Sequence, residues 1–400
     1  MDPRILTFTS LFPDAEHPTR GVFVRERIRA LAAVCPLEVA APVQWVPPLA
    51  ALTRRYGDCR RVPRFERDAS GFAIHHPRFF VMPKLLKRAD GRLMGAACVR
   101  EVARIQRSFR FDLIDAHWAY PDGVAASFIA RRTGVPFAVT VRGDDINVFA
   151  EEPGRGPQIR RMLARAALVI AVSEDLKARV ERLTCGRAAV VVIPNGVDGD
   201  RFRPGDRLGA RRRLRLPMDR RVCVSVGRLH DSKRFPLLVD ALARLPAACG
   251  DVELFVIGAP DPEADARAAI AERVSRHHLQ DRVHVVGAQT PDQLVDWYNA
   301  ADLYCSATIR EGSPNVILEA MACGLPCVTT PVGGNCEAVA TADVGLLAPS
   351  DPVSLGDALA AALTRSWNRA HIAERARRRT WAVVAAECLD ALGRVVPHAS

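Results

Sequence analysis

The sequence contains no hydrophobic run long enough to cross a membrane. Its longest weakly charged stretch, residues 31–53, is interrupted by Glu38 and four prolines, and the apolar run at residues 5–9 is too short for a signal peptide. The 11 cysteines are scattered without a CxxC pair, which indicates buried thiols in a reducing compartment and not a disulfide framework. We therefore expect a cytoplasmic protein, either soluble or attached to the inner face of the cell membrane.

Two familiar nucleotide-binding signatures are also missing. No GxxxxGK[ST] sequence occurs, which excludes a Walker A phosphate loop. No GxGxxG follows the first predicted strand, which argues against a nicotinamide or flavin dehydrogenase. The pairs His75-His76 and His277-His278 lack Cys or carboxylate partners at ligand spacing, so we predict surface or turn histidines and no metal site.

Positive charge is what the sequence has in excess. The 400 residues carry a net charge of +11, and residues 51–110 alone hold 15 Lys and Arg against 5 Asp and Glu. Such an imbalance favours an acidic partner, which could be nucleic acid, an anionic membrane or a phosphorylated substrate. In the predicted helix 99–109, Arg100, Arg104 and Arg107 share one face, which suits either a solvated surface or a membrane-facing patch.

Short apolar runs alternate with helical patterns twice along the chain. The predicted strands are Ile5–Thr9, Leu37–Ala40, Phe111–Ala116, Phe137–Val141, Leu168–Val172, Val190–Ile193, Val222–Val226, Leu254–Ile257, Val283–Val286, Leu303–Cys305 and Cys327–Thr329. A polar break at residues 198–217 separates the two series, which predicts an α/β fold of two doubly wound domains with parallel sheets, over residues 1–200 and 201–380. The ligand is expected at the carboxyl ends of the strands, in a cleft between the domains.

Residues 311–337 hold the strongest chemical signal. Ser313 is a good helix N-cap and Pro314 a good first helical residue, so a helix is predicted to start here with free N–H groups that can bind an anion. Glu311 precedes that helix and Glu319 lies along it, and two such carboxylates can accept hydrogen bonds from a sugar or a ribose. Taken singly, either carboxylate would suit an ordinary surface residue.

A second signal follows the first strand of the second series. Gly227 allows close backbone approach, and Arg228 and Lys233 offer a guanidinium fork and a point charge to a diphosphate. Alone, they could equally be two surface cations.

The combined motifs resemble the group 1 glycosyltransferases. They are Glu311-x7-Glu319, Gly227-Arg228-Leu229 with Lys233, Ile193-Pro194-Asn195-Gly196-Val197-Asp198, Gly324-x-Pro326 with Gly333-Gly334 and Glu337, Gly21-Val22-Phe23-Val24, Asp115-Ala116-His117-Trp118 and Arg142-Gly143-Asp144-Asp145. The resemblance implies two facing Rossmann-like domains of the GT-B architecture. It also implies retaining transfer of a sugar from a nucleotide-diphosphate sugar without a metal or other cofactor. The acceptor would be a glycan or a lipid-linked glycan in bacterial exopolysaccharide, teichuronic acid or lipopolysaccharide biosynthesis.

The resemblance also implies roles for individual residues. Arg228 and Lys233, beside Gly227, would hold the donor diphosphate, whereas Glu319 would bind the ribose and Glu311 the transferred sugar. The N–H groups of Asn315 and Val316 would cap the distal phosphate. Gly21 would also belong to the donor site, because it gives the first loop room beside the distal phosphate and the acceptor, and His117 would lie against the donor sugar at the anomeric centre. Arg142 and Asp145 would position the acceptor. The C-terminal segment 381–400 would join the N-terminal domain.

The sequence departs from the family pattern at two places and leaves other functions open. Arg234 stands where the family commonly has Gly after the lysine, and Ala259-Pro260-Asp261 lacks the usual second glycine. The alternatives are a sugar-nucleotide 2-epimerase of the same fold, an inactive sugar-nucleotide-binding or scaffold protein, and a nucleic-acid-binding protein. No known RNA- or DNA-binding signature supports the last of these.

Overall fold

The chain divides into two units by its internal packing. The computed structural model describes residues 2–47, 49, 57–81, 87–261 and 264–396. Unit 1 comprises Met1–Asn195 with Trp381–Ser400, and unit 2 comprises Gly196–Thr380, so the division lies slightly before the predicted one. Parts of the basic segment (51–56 and 82–86), the start of a predicted helix (263) and the last residues of the C-terminal segment (397–400) lie outside the described residues.

Unit 1 is built on a largely parallel sheet. Its strands are β1 (Ile5–Phe8), β2 (Leu37–Ala40), β3 (Val43–Trp45), β4 (Phe65–Arg67), β5 (Ala73–His75), β6 (Arg78–Phe80), β7 (Leu113–His117), β8 (Phe137–Val141), β9 (Leu168–Ala171) and β10 (Val190–Val192). Its helices before the division are α1 (Val22–Ala32), α2 (Asp90–Phe109), α3 (Val124–Thr133), α4 (Asp144–Asn147), α5 (Gly156–Leu163) and α6 (Glu174–Thr184). The main sheet has the order β10-β9-β8-β7-β1-β2-β5-β4, with β4 antiparallel to β5, and β3 pairs with β6 separately.

Unit 2 repeats the strand–helix alternation. Its strands are β11 (Arg221–Val226), β12 (Val252–Ile257), β13 (Val283–Gly287), β14 (Leu303–Cys305), β15 (Cys327–Thr329) and β16 (Gly345–Leu347), in the parallel order β13-β12-β11-β14-β15-β16. Its helices are α7 (Arg207–Leu214), α8 (Phe235–Leu242), α9 (Arg267–Arg276), α10 (Pro291–Ala300), α11 (Asn315–Ala322), α12 (Asn335–Ala338), α13 (Pro352–Thr364) and α14 (Arg369–Arg377). The predicted fold class, two Rossmann-like α/β domains with parallel sheets, is confirmed.

The apolar residues of these strands explain the parallel sheets. The central strands β7 and β8 are buried along their whole length, as expected when helices cover both faces of a sheet. The last helix of the chain, α15 (Trp381–Gly393), packs on α1 in unit 1, where Val384 and Cys388 join the core beside Val24 and Ile28. The polar groups Asp115 and His117 therefore stand out, because they lie within an otherwise apolar buried strand.

One prediction from the sequence is wrong in detail, and one segment contains a helix that was not predicted. His75 and His76 are not surface residues, since both are buried and their Nε2 atoms contact Glu38 (2.9 Å) and Glu66 (2.8 Å), partners that sequence spacing does not reveal. The polar break at 198–217 contains α7, because Asp206 caps the N–H of Gly209.

The described helices were also searched for a membrane-spanning segment. None of them combines the length and the apolar composition that crossing a bilayer requires.

Candidate active site

The carboxyl end of β11 brings a cation and a carboxylate together. Lys233 lies beside Gly227 at the end of the strand, where a Cβ atom on the glycine would be in ordinary van der Waals contact with Lys233 Cε at 3.6 Å. Lys233 Nζ donates to Glu311 Oε2 at 2.7 Å, and both side chains are only partly exposed. The loop after β14 carries Glu311, so the pair joins two neighbouring strand ends.

Two glycines hold the loop of Glu311 in place. Gly333 has a φ of +49°, in the left-handed region that favours glycine, and a Cβ there would lie 1.9 Å from the carbonyl oxygen of Glu311. A Cβ on Gly334 would lie 2.5 Å from the carbonyl oxygen of Gly312. The sequence pair Gly333-Gly334 therefore permits a direct backbone contact that positions Glu311.

The helix after Glu311 starts one residue later than predicted. Pro314, not Ser313, is the N-cap, because the carbonyl of Pro314 is the one that accepts from the N–H groups of Ile317 and Leu318. The N–H of Asn315 donates to the Ser313 carbonyl at 3.0 Å. The start of α11 lines a small recess with Lys233 and Glu311; its remaining lining residues are Ser225, Val226, Phe235, Tyr304, Ser306, Thr308, Pro314, Val316, Ile317 and Asn335.

Glu319 lies further along α11 in a partly buried position. The Tyr298 hydroxyl donates to Glu319 Oε2 at 3.2 Å. Burial raises the pKa of the Glu319 carboxyl to about 7, although the hydrogen bond from Tyr298 acts in the opposite direction. A carboxyl with this pKa changes its charge near neutral pH.

Arg228 is the most exposed member of the predicted set. Its side chain is 69% exposed, and Nη1 donates to Oδ2 of the buried Asp261 at 3.2 Å. Asp261 belongs to the loop in which the family glycine is missing, and Pro260 of that loop forms a bridge with Leu229. The departure from the family pattern thus supplies Arg228 with a carboxylate partner.

Arg234 is the other residue at which the sequence departs from the family pattern. Its φ is +50°, in the left-handed region where glycine is the usual residue. The guanidinium of Arg234 donates to the carbonyl oxygen and the hydroxyl of Ser350, at 3.3 and 3.0 Å. These bonds offset part of the backbone strain that a side chain causes at this position.

In unit 1, His117 lies at the carboxyl end of β7 and is fully buried. Arg142 Nη2 donates to His117 Nδ1 at 2.6 Å, so that nitrogen carries no proton. The proton lies on Nε2, which donates to Asp115 Oδ2 at 3.1 Å. Burial lowers the pKa of His117 to about 4, so the ring is neutral at pH 7. Both ring nitrogens are therefore engaged within the unit.

Asp145 fixes the loop that carries Arg142. It accepts hydrogen bonds from the backbone N–H groups of Ala119, Arg142 and Gly143, and burial raises its pKa. Arg142 also donates to Asn195 Oδ1 at 3.4 Å. Burial and the nearby charge of Arg27 lower the pKa of Arg142 to about 9.

Gly21, also in unit 1, is the N-cap residue of α1. Its φ is +59°, and a Cβ there would lie 2.1 Å from the carbonyl oxygen of Leu11. The first loop can therefore fold tightly over the start of α1 only with glycine at this position.

The predicted residues thus fall into two clusters by unit, and within them the structure shows direct contacts of Lys233 with Glu311 in unit 2 and of Arg142 with His117 and Asp145 in unit 1. Sequence reasoning missed three of their partners, Asp115, Tyr298 and Asp261. Only Asp115 had a local signal, since residues two apart on a strand share a face. Over the described residues, no group of three or more His, Cys, Asp or Glu side chains is arranged to hold a metal ion.

Comparison with known families agrees with these motifs. The model described as glycosyl transferases group 1 matches residues 206–379, and the one described as glycosyltransferase family 4 matches residues 49–201. A D-inositol 3-phosphate glycosyltransferase of Stackebrandtia nassauensis is 32% identical over 306 residues, covering 72% of this chain and 69% of that protein. The chain belongs to the group 1 glycosyltransferases. The Bacillus subtilis protein TuaC, named for teichuronic acid biosynthesis, is 29% identical over 89% of this glycosyltransferase and 88% of its own length.

Solved structures share the fold of this glycosyltransferase. A sucrose-phosphate synthase of Thermosynechococcus elongatus has a TM-score of 0.77 at 22% identity and covers 99% of both chains. The Anabaena protein HepE, solved in complex with UDP, has a TM-score of 0.74 at 21% identity over 98% of this chain and all of HepE. These likenesses establish the GT-B fold class.

Proposed function

We propose that this glycosyltransferase moves a sugar, with retention of anomeric configuration, from a nucleotide-diphosphate sugar to a glycan or lipid-linked acceptor in bacterial cell-surface polysaccharide biosynthesis. The observation that carries the proposal is the contact of Lys233 with Glu311 at 2.7 Å across two strand ends. A cation and a carboxylate so placed can bind a phosphate and the hydroxyls of its sugar at the same time. HepE, which has the same fold, was solved with UDP-glucose.

The two cations of unit 2 are assigned to the donor diphosphate. Lys233 lies over Gly227, and the exposed Arg228 can leave Asp261 to form a bidentate contact with phosphate oxygens. In that position they stabilise the negative charge that grows on the leaving group. We propose that this electrostatic role makes a metal ion unnecessary.

The carboxylates and the start of α11 are assigned to the rest of the donor. Glu311 accepts hydrogen bonds from the transferred sugar, and Glu319 accepts them from the ribose. The N–H groups at Asn315 and Val316 lie in the first turn of α11, where the positive end of the helix dipole favours a phosphate.

The residues of unit 1 are assigned to the anomeric centre of the donor sugar and to the acceptor beside it. Gly21 keeps the first loop clear, while Arg142 and Asp145 hold the loop beside His117. His117 is assigned to the anomeric centre as a neutral ring, because its pKa of about 4 makes it a poor base at pH 7.

The proton of the acceptor therefore needs another base. We propose that an oxygen of the departing diphosphate takes it, on the face of the sugar where the new bond forms. The bond between the anomeric carbon and the diphosphate oxygen breaks, the acceptor oxygen bonds to the same face, and the proton ends on the diphosphate. The product then keeps the anomeric configuration of the donor.

Incubation with labelled UDP- and GDP-sugars, with and without a lipid-linked acceptor, tests the proposal. We expect release of nucleoside diphosphate that depends on the acceptor, and an NMR spectrum of the product with the donor's anomeric configuration. An inverted product would contradict retention. Conversion of the donor without an acceptor would instead favour a 2-epimerase, and no turnover with any pair would favour an inactive binding protein.

A membrane is the partner proposed for the basic segment 51–110. Within this segment, Arg54 and Arg55 lie outside the described residues, Arg60 contacts Asp58 and Arg61 contacts Glu16. Two other arginines of the segment, Arg64 and Arg107, are exposed and contact no acidic side chain among the described residues, and Phe65 beside Arg64 is 48% exposed. We propose that Arg64 and Arg107 attract an anionic bilayer.

Binding to vesicles tests that partner. The double variant Arg64→Gln, Arg107→Gln should bind phosphatidylglycerol vesicles about thirtyfold more weakly in sedimentation, since each basic residue near such a surface contributes ~1 kcal/mol. The matched control Arg273→Gln, Arg276→Gln removes two arginines of α9 and should bind as the unaltered protein does. Equal vesicle binding by the two double variants would show that Arg64 and Arg107 do not attract the bilayer.

The role of Glu319 predicts a pH dependence for the donor. The carboxyl ionises near pH 7, and the ionised form accepts the ribose hydroxyls best, so affinity for UDP-glucose should rise by up to about tenfold from pH 6 to pH 8. Calorimetry with UDP-glucose suits this test because the diester diphosphate does not itself titrate in that range. Glu319→Gln should flatten the profile, and the control Glu272→Gln, on the exposed face of α9, should keep it. A profile that survives Glu319→Gln would assign the titration to another group.

A further inference from the structure

A groove on unit 1, whose lining includes none of the site residues described above, is lined by four arginines. Arg92 comes from α2, Arg131 from α3, Arg161 from α5, and Arg165 follows α5. The groove has a volume of about 90 Å³, and Ser127, Phe128 and Met162 are among the residues that line it. We name it the arginine groove.

Nothing within the described residues neutralises these arginines. No Asp or Glu lines the arginine groove, and none of its four guanidinium groups makes a hydrogen bond or an ion pair with a described residue. By contrast, Arg104 of α2 contacts Glu101, and Arg155, which precedes α5, contacts Glu152. All four side chains are exposed, so water and salt weaken their mutual repulsion, and an anion in the groove would replace that repulsion with attraction.

Helix stabilisation accounts for only part of this arrangement. Arg131 and Arg161 lie in the last turns of α3 and α5, where a cation interacts favourably with the helix dipole. Arg92 lies in the first turn of α2, where a cation is unfavourable, and Arg165 lies beyond the end of its helix. Arg92 and Arg165, which have no such helical role, are the other two positive charges at the arginine groove.

We propose that the arginine groove binds the phosphate groups of an anionic ligand. Guanidinium forks match phosphate oxygens in pairs, so four arginines from separate elements can hold one diphosphate or the phosphate of a lipid headgroup. The apolar atoms of Phe128 and Met162 at the groove suit the less polar part of such a ligand. The site is separate from the donor recess, whose lining residues all belong to unit 2.

Titration with inorganic pyrophosphate tests the groove. Every protein in the experiment carries Lys233→Met, which removes one of the two proposed diphosphate anchors of unit 2 and lowers the background binding there, so that the difference between groove and control variants reports on unit 1. The variant Arg131→Ala, Arg161→Ala should raise the dissociation constant for pyrophosphate by about tenfold or more. The control Arg132→Ala, Arg160→Ala removes the neighbouring arginines of the same helices, which do not line the groove, and should leave it unchanged. Thermal unfolding verifies that both variants fold.

Two additions to the experiment identify the ligand and keep the test valid if a variant does not fold. Vesicles with and without phosphatidylglycerol are compared with pyrophosphate. Binding only to the phosphatidylglycerol vesicles would identify a lipid headgroup phosphate, whereas binding to pyrophosphate would identify a soluble phosphate. If the variant Arg131→Ala, Arg161→Ala fails to fold, the variant Arg92→Gln, Arg165→Gln removes the other two arginines of the groove and should show the same loss of pyrophosphate affinity. The proposal is overturned if groove and control variants bind every probe alike, or if no protein binds any probe. Binding of UDP-glucose by the groove variant with Lys233 intact reports separately on the donor site.

Discussion

Sugar transfer by Lys233→Met should be slower by about 10²–10³-fold, because a preorganised positive group at the leaving oxygen is worth about 3–4 kcal/mol in the transition state. Lys233 is already fixed before the donor binds: it lies over Gly227 and donates to Glu311. Methionine preserves most of the length of the side chain but supplies no charge. The loss should therefore appear mainly in kcat, measured as release of nucleoside diphosphate.

Two further variants separate this effect from general damage. Lys177→Met removes a lysine whose surface pair with Glu174 is long, at 3.8 Å, and it should leave activity unchanged. Glu311→Gln keeps the lysine but removes its carboxylate partner, so it should weaken the hold on the transferred sugar and leave diphosphate binding largely intact. A Lys233→Met protein with normal kcat and a raised KM alone would show that the lysine binds the ground state and the transition state equally and does not act on the chemical step.

The parts of the site that could be predicted are those encoded by short sequence spacing. Gly227, Arg228 and Lys233 follow one strand and precede one helix, so their shared location follows from the strand–turn–helix pattern. The same holds for Glu311 and Glu319 around the start of α11. Parallel sheets place successive strand ends at one edge, which is why the alternation also predicted most of the strands and the fold class.

The parts that could not be predicted depend on long-range contacts. Asp261 reaches Arg228 from the next strand, and Tyr298 reaches Glu319 from a separate helix. The pKa of Glu319 is set by burial, which no local pattern reports. The short strands β3 and β6 escaped notice because three-residue strands carry little periodicity.

His117 illustrates the limit most clearly. The sequence placed it at a strand end, and the structure agrees. What it did not reveal is that Arg142 and Asp115 engage both ring nitrogens, which fixes the tautomer and lowers the pKa to about 4. The chemistry open to a histidine depends on these partners more than on its position in the chain.

Gly333→Ala should reduce kcat/KM by about 100-fold and also lower the melting temperature. The new Cβ would lie 1.9 Å from the carbonyl oxygen of Glu311, so the loop that carries Glu311 must move. A displacement of about 1 Å at a reacting group can cost about 100-fold in rate. The positive φ of +49° adds backbone strain of about 1 kcal/mol, which lowers stability whatever the surroundings.

The control Gly186→Ala separates the two effects. Gly186 also has a positive φ, +71°, but a Cβ there meets no atom within 4 Å, so the substitution adds strain without a clash. It should lower the melting temperature by a few degrees and leave kcat/KM unchanged. If Gly333→Ala behaves in the same way, the backbone contact does not position Glu311. If only Gly333→Ala loses activity, the glycine pair acts on catalysis through the carboxylate that faces Lys233.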